Sequence, residues 1–313
     1  MDPIVFFILG LVLLYLGGEL LVKGSLSIAR RLNISTLVVG LTIVSFATSA
    51  PELFVCIKAA VNGNSNIAFG NIIGSNIANI ALVLGVTALI FRVKISKQTL
   101  HYNFPFMFFV SVLLAIVLFF FNGVSNYFGY FFILLLFAFI VFLIKNSRNI
   151  IDEDSEDLKI HDSSIFNSVL FIIFGVFLLK FGADWLVDGT IFIAKLFNVS
   201  DRVIAVTVVA VGTSIPELVT SIIAALKKEE NLAVGNLIGS NIFNVLAVLG
   251  ITSTISELRI DDIKILTFDI PWMLAFTTVL AIIIYISSSS KVTRKEGIVL
   301  LFLYISYIYM SLI

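Results

Sequence analysis

Apolar residues fall along this chain in long blocks broken by short polar punctuation, with little of the alternation of a strand or an amphipathic helix. A helix needs roughly 20 apolar residues to cross the hydrocarbon layer. Dividing the chain at its polar breaks predicts ten such spans, over 3–29, 35–60, 66–91, 103–122, 126–145, 164–194, 202–226, 232–255, 269–288 and 294–312. The one polar interval of any length, 146–163, carries Asp152, Glu153, Asp154, Glu156 and Asp157. It reads as a solvated linker, too short for a soluble domain.

The chain also repeats itself. Gly17, Leu21, Val22, Gly24, Ile28, Ala29, Asn33 and Ser35 recur 165 positions later as Gly182, Leu186, Val187, Gly189, Ile193, Ala194, Asn198 and Ser200. The offset holds to Gly85 and Gly250, and Asn103 to Met107 resembles Asp269 to Met273 at an offset of 166. Two units follow, 1–145 and 164–313, joined by a short cytoplasmic linker at 146–163. Five spans per unit force the second copy to enter the bilayer from the opposite side, an arrangement that places a transporter's site near the midplane. The predicted fold is an all-α polytopic membrane protein, with ten transmembrane helices in two inverted five-helix repeats.

Composition agrees with this pattern: 59% of the residues are hydrophobic, 13% are charged, and mean hydropathy is +1.11, too apolar for a soluble domain of this length. Twenty basic and twenty acidic residues cancel, so nothing points to nucleic acid, and the predicted partner is the lipid bilayer, with no obligatory protein partner. One cysteine, Cys56, excludes an internal disulfide. Met-Asp-Pro lacks a basic leader, so the first apolar block reads as a retained span. Cytoplasmic loops collect Lys and Arg. With the N-terminus outside, 13 basic residues fall in inner loops, among them Arg30, Arg31, Lys227 and Lys228, against 5 in outer ones, which predicts both termini outside.

Two duplicated motifs carry the candidate chemistry. Thr48-Ser49-Ala50-Pro51-Glu52 recurs as Thr213-Ser214-Ile215-Pro216-Glu217, and Gly70 to Asn79 recurs as Gly235 to Asn244. A charge inside a span is costly and is usually there for function. Pro51 has no N–H for the Ala47 carbonyl one turn earlier, and Pro216 leaves the Gly212 carbonyl in the same position. Thr48 and Glu52 share a helix face with Ser49 beside them, and Ser75 and Asn79, four apart, share another. The oxygen atoms are all hard ones, suited to Ca²⁺ with its 6 to 8 ligands, or to Na⁺, and not to zinc or copper. Glu52 and Glu217, ionised together, are neutralised by one divalent or two monovalent cations. Emptying such a site in low dielectric is unfavourable, which favours exchange over leak.

Other polar residues have plainer readings. Asn71 and Asn236 read as supports rather than ligands, Cys56 as a small buried apolar side chain, and His101 and His161 as loop residues. Glu19 with Lys23, and Lys180 with Asp184, are spaced as neutralised pairs. Gly70, Gly74, Gly235 and Gly239 form small-xxx-small patterns that let helices pack closely. The 30 phenylalanines read as lipid-facing bulk.

The paired T-S-x-P-E and G-N-x-x-G-S-N-I-x-N blocks resemble the two alpha-repeats of the cation/calcium exchanger superfamily, most of all its prokaryotic sodium/calcium exchangers. The resemblance implies a secondary antiporter in a cell membrane, moving Ca²⁺ against Na⁺ by alternating access, with the ions as cargo and no cofactor. It implies metal ligands at Thr48, Ser49, Glu52, Ser75 and Asn79, and at Thr213, Ser214, Glu217, Ser240 and Asn244, with backbone carbonyls near Ser45 and Ala210. Two positions depart from the family pattern: an amide at Asn244 where members often carry aspartate, and Ala47 where glycine usually precedes the threonine. The short linker implies no calcium-sensing regulatory domain. The alternatives are a proton-coupled or other cation antiporter and, in a different class, an ion channel. An intramembrane enzyme is disfavoured, because H-E-x-x-H and G-x-S-x-G are both missing from the sequence.

Overall fold

With no water in hydrocarbon to satisfy backbone N–H and C=O groups, an apolar block of this length can only be a helix. The computed structural model, which describes residues 3–147, 164–197, 210–286 and 291–312, is helical almost throughout. Its helices are α1 (Pro3–Leu32), α2 (Thr36–Thr48), α3 (Ala50–Val61), α4 (Ser65–Ile90), α5 (Thr99–Phe121), α6 (Asn126–Ser147), α7 (Ile165–Leu196), α8 (Ala210–Gly212), α9 (Ile215–Leu226), α10 (Glu230–Ile255), α11 (Ile265–Ile286) and α12 (Arg294–Leu312). Seven are long and apolar enough to cross a membrane, and α2 with α3 adds an eighth as a pair bent by 44°. Helices α8 and α9 are the described part of the predicted seventh span, and α12 is the tenth. Most of the predicted linker with His161, the start of the seventh span with Arg202, and Asn198 and Ser200 lie outside the described residues.

Several predicted edges shift. The fourth and ninth spans begin earlier than expected, at Thr99 and Ile265, because a wide π-helical turn in each (Thr99–Asn103, Ile265–Asp269) carries the helix back past Pro105 and Pro271. Such a turn accommodates a proline that gives no N–H to the preceding turn. His101 therefore belongs to a helical turn rather than a loop; its Nδ1 donates to the Lys97 carbonyl at 2.8 Å.

Four two-residue strands reveal how the halves are inserted: β1 (Val93–Lys94), β2 (Gly123–Val124), β3 (Leu258–Arg259) and β4 (Lys291–Val292). β1 pairs antiparallel with β4, setting Val93 opposite Val292, and β2 pairs with β3, setting Val124 opposite Leu258. Each pair joins the connection after the third span of one repeat to the connection after the fourth span of the other. Those two connections share a membrane face only if the repeats are inverted; a parallel duplication would leave them on opposite sides.

Helices α1 and α7 form an antiparallel ribbon. Gly10, Gly17 and Gly24 recur every seven residues, as do Ser168, Gly175, Gly182 and Gly189 on the partner helix. A Cβ on Gly17 would stand 2.7 Å from the Leu179 nitrogen, and one on Gly182 would stand 2.8 Å from the Leu14 nitrogen, so backbone meets backbone along the seam. One face of the ribbon packs through Leu21, Val22 and Leu179 on Val44, Ala47 and Ile223 of the broken spans. The other face is exposed, for instance at Tyr15 and Phe181. α4 and α10, by contrast, run through the centre, and α10 is buried continuously from Leu232 to Gly250. Not all phenylalanines are lipid-facing: Phe69, Phe104, Phe132 and Phe276 are fully buried, because gaps between ten close-packed helices need large side chains too.

The charges on the ribbon correct one expectation. Lys180 pairs with Asp184 at 2.6 Å as spaced, but Glu19 pairs with Lys227 at the end of α9, at 2.7 Å, rather than with Lys23. Lys23 instead lies 4.8 Å from the ring centre of Phe171, which the crossing of α7 brings over it. Both partners of the Glu19–Lys227 pair are about a third exposed, so a double-mutant cycle with Glu19→Gln and Lys227→Gln, read as melting temperature, is expected to give a coupling below about 1 kcal/mol.

Candidate ion site

The prolines determine where the site forms. Pro51 and Pro216 each sit at the start of a helix, and the residue before that helix leaves helical geometry, Ser49 at φ −83°, ψ 3° and Ser214 at φ −91°, ψ 3°. The span is thereby broken in its interior, and Glu52 and Glu217 fall in the first turns of α3 and α9. Amide N–H groups at a helix start carry partial positive charge, which favours a carboxylate there. Both glutamates are completely buried. On the facing helices, π-helical turns begin at Asn79 and at Asn244, widening α4 and α10 at the same repeat position. Turns of this kind are frequent at functional positions.

The four motif segments meet crosswise. The Thr48 hydroxyl lies 3.3 Å from that of Ser240, and the Thr213 hydroxyl lies 3.3 Å from that of Ser75, so each broken span touches the other repeat's central helix in the same way. Ser75 also donates to Glu52 Oε1 at 3.4 Å. Glu217 is near enough to Glu52 for their charges to interact, and Thr48 and Ser49 of the opposite repeat flank it without closing a hydrogen bond of normal geometry. Asn236 steadies this half: its amide nitrogen donates to Ser221 Oγ at 3.2 Å and to the Glu217 backbone carbonyl at 3.4 Å, which leaves its oxygen to accept from Thr48 at 3.1 Å. In the other half the same position, Asn71, donates instead to the sulfur of buried Cys56 at 3.4 Å.

Seven buried oxygens in this set have no hydrogen-bond partner: Ser49 Oγ, Glu52 Oε2, Asn79 Oδ1, Ser214 Oγ, both carboxylate oxygens of Glu217 and Asn244 Oδ1. Buried polar atoms left unpaired cost on the order of 1–3 kcal/mol each. Hydroxyl, amide and carboxylate oxygens match a hard cation. Among the described residues no group of three or more His, Cys, Asp or Glu could hold a metal, so a transition-metal cluster has no candidate there.

The carbonyl candidates fare differently. The Ser45 backbone oxygen already accepts from the Ser49 nitrogen at 2.9 Å, and the Ser45 hydroxyl sits at the α2–α10 contact, 2.7 Å from the Gly40 carbonyl of its own helix and 3.0 Å from the Asn236 carbonyl. Ala210 opens α8, and its side chain lies outside the described residues. Gly235 and Gly239 do bring helices together, whereas no described atom lies within 4 Å of a Cβ placed on Gly70 or Gly74; residues 202–206, which match Leu37 to Leu41 of α2 at the 165-residue offset, are outside the described residues. Asn76 and Asn241 also lie inside the duplicated motif, and their one signal in the sequence is recurrence at the same 165-residue offset.

Comparison with known proteins completes the picture. The family model described as sodium/calcium exchanger protein matches residues 3–145 and 167–313. The putative antiporter CaxA of Alkalimonas amylolytica is 36% identical over 312 residues, covering 98% of this chain and 97% of that protein. The sodium/calcium exchanger MaX1 of Methanosarcina acetivorans is 31% identical over 338 residues, covering 96% of each. Among solved structures, the sodium-calcium exchanger NCX_Mj soaked with Na⁺ and Ca²⁺ superposes with a TM-score of 0.82 at 31% identity, over 99% of this chain and 98% of that one. Similarity across both halves, a shared ten-helix fold and the duplicated motif place it together with these multi-span membrane exchangers: the chain belongs to the sodium/calcium exchanger protein family.

Proposed function

We propose that the chain is a secondary antiporter that exchanges Ca²⁺ for Na⁺ by alternating access, binding both near the middle of the bilayer at Glu52 and Glu217. The observation that carries this reading is the pair of fully buried carboxylates with unpartnered oxygens, one from each inverted repeat, set where the threonine of each broken span meets the serine of the other repeat's central helix. In the proposed ligand set, Thr48, Ser49, Ser75, Asn79, Thr213, Ser214, Ser240 and Asn244 complete the oxygen shell around the glutamates. The carbonyls near Ser45 and Ala210 join only where the helix gives them up. The excess of basic residues in alternate connections supports both termini outside.

Ions are the cargo, and no resident cofactor is invoked. A site carrying two negative charges is balanced by one Ca²⁺ or by two Na⁺. Reorientation is then easiest when it is filled, which couples the two fluxes. The amides at Asn79 and Asn244 leave the glutamates as the site's two carboxylates, which also favours a second reading in which a proton replaces Na⁺. Proteoliposomes loaded with Na⁺ are expected to take up ⁴⁵Ca²⁺ when the outside is free of Na⁺, and to stop when the Na⁺ gradient collapses. Uptake that ignores Na⁺ and follows pH would replace sodium with protons, and passive Ca²⁺ flux as large as the exchange would make the protein a channel.

A further inference from the structure

Asn244 donates from its amide nitrogen to Asn76 Oδ1 at 3.0 Å, and Asn76 donates from its own amide nitrogen to the Asn241 backbone carbonyl at 3.4 Å. All three residues are buried. A backbone carbonyl can only accept, so Asn76 must turn its NH₂ group toward Asn241. Its oxygen then faces Asn244, which must answer with nitrogen. Both amides are oriented by that one fixed acceptor. What remains is Asn244 Oδ1, buried and without a partner.

From this geometry we infer that Asn76 is a positioning residue, which holds the side-chain carbonyl of Asn244 toward the transported cation. The inference rests on the proposed ion site. The two halves differ here: Asn241, the counterpart of Asn76, donates to the Leu237 carbonyl of its own helix at 2.9 Å, and neither polar atom of Asn79 has a partner. Asn244 is therefore a preoriented ligand and Asn79 a free one, so the cation meets one rigid and one adjustable amide. The hydrogen-bond chain also crosses from α4 to α10, linking the central helix of one repeat to the ligand of the other.

The test uses the full-length protein purified in detergent, with Ca²⁺ and Na⁺ each titrated against its melting temperature. Asn76→Ala, Asn76→Leu, Asn244→Ala and the double variants are compared; Asn76→Leu keeps the branching and heavy-atom count of the side chain without its polar atoms and serves where the alanine variant fails to fold. Removing a group that orients a metal ligand costs about 10- to 100-fold in affinity. Loss of that size is expected for Ca²⁺ with Asn76 replaced, shrinking to less than about twofold once Asn244 is alanine, because the effect then has no ligand to act through. An equal loss with and without Asn244, or unchanged affinity in the Asn76 variants, overturns the positioning role and leaves the ion site intact. A wild-type protein whose melting responds to neither cation overturns the ion site, and this inference with it.

Discussion

Glu52→Gln and Glu217→Gln are each expected to abolish coupled exchange while leaving the protein folded and inserted. Glutamine keeps the shape of the side chain and one oxygen but removes the charge. A carboxylate about 4 Å from a divalent cation is worth on the order of 8 kcal/mol at an effective dielectric of about 20, far more than an amide oxygen recovers. The fold should not suffer, since the substitution removes a completely buried charge that has another carboxylate for a neighbour. Ion-free melting temperature at or above the wild-type value, together with ⁴⁵Ca²⁺ uptake at background, is the expected result. Coupled exchange surviving in both variants would mean that the cation is held elsewhere.

Gly235→Ala is the second large effect, and its direction runs against helix propensity. Inside a helix, alanine is favoured over glycine by about 0.8–1 kcal/mol. At Gly235 the added methyl would stand 2.6 Å from the Leu37 carbonyl oxygen, 3.0 Å from the Gly40 Cα and 3.0 Å from the Leu41 nitrogen, all backbone atoms that no rotamer change can clear. Overpacking of this sort costs about 1–3 kcal/mol, enough to reverse the sign. Because the α2–α10 crossing that Gly235 permits also holds Thr48 against Ser240, the variant should lose melting temperature and Ca²⁺ uptake together. A variant more stable than wild type would show that the crossing gives way more easily than its backbone contacts imply.

Much of this was legible before any coordinates. Hydropathy located the spans because the lipid solvent demands runs of apolar residues whatever their neighbours. The duplication at 165 residues, with five spans per copy, implied inversion by parity alone. The site motifs stood out because a carboxylate, two hydroxyls and a proline inside a span have few structural uses. Edges were less legible: the starts of the fourth and ninth spans depend on π-helical turns, and no pattern of apolar residues encodes the width of a turn. Spacing alone pairs Glu19 with Lys23, whereas the fold pairs it with Lys227, because pairing follows distance in space.

Membrane class, the inverted repeat, the breaks at Pro51 and Pro216, and the two glutamates can all be read along the chain, since each follows from local chemistry or from self-similarity. Helix packing sets which hydroxyl meets which, makes α1 and α7 a glycine-lined ribbon, and orients Asn244 through Asn76 while leaving Asn79 unpaired. Two copies of nearly the same motif cannot reveal such differences. The asymmetry arises from contacts between residues more than 160 positions apart, whose geometry is set by how ten helices share one packed interior.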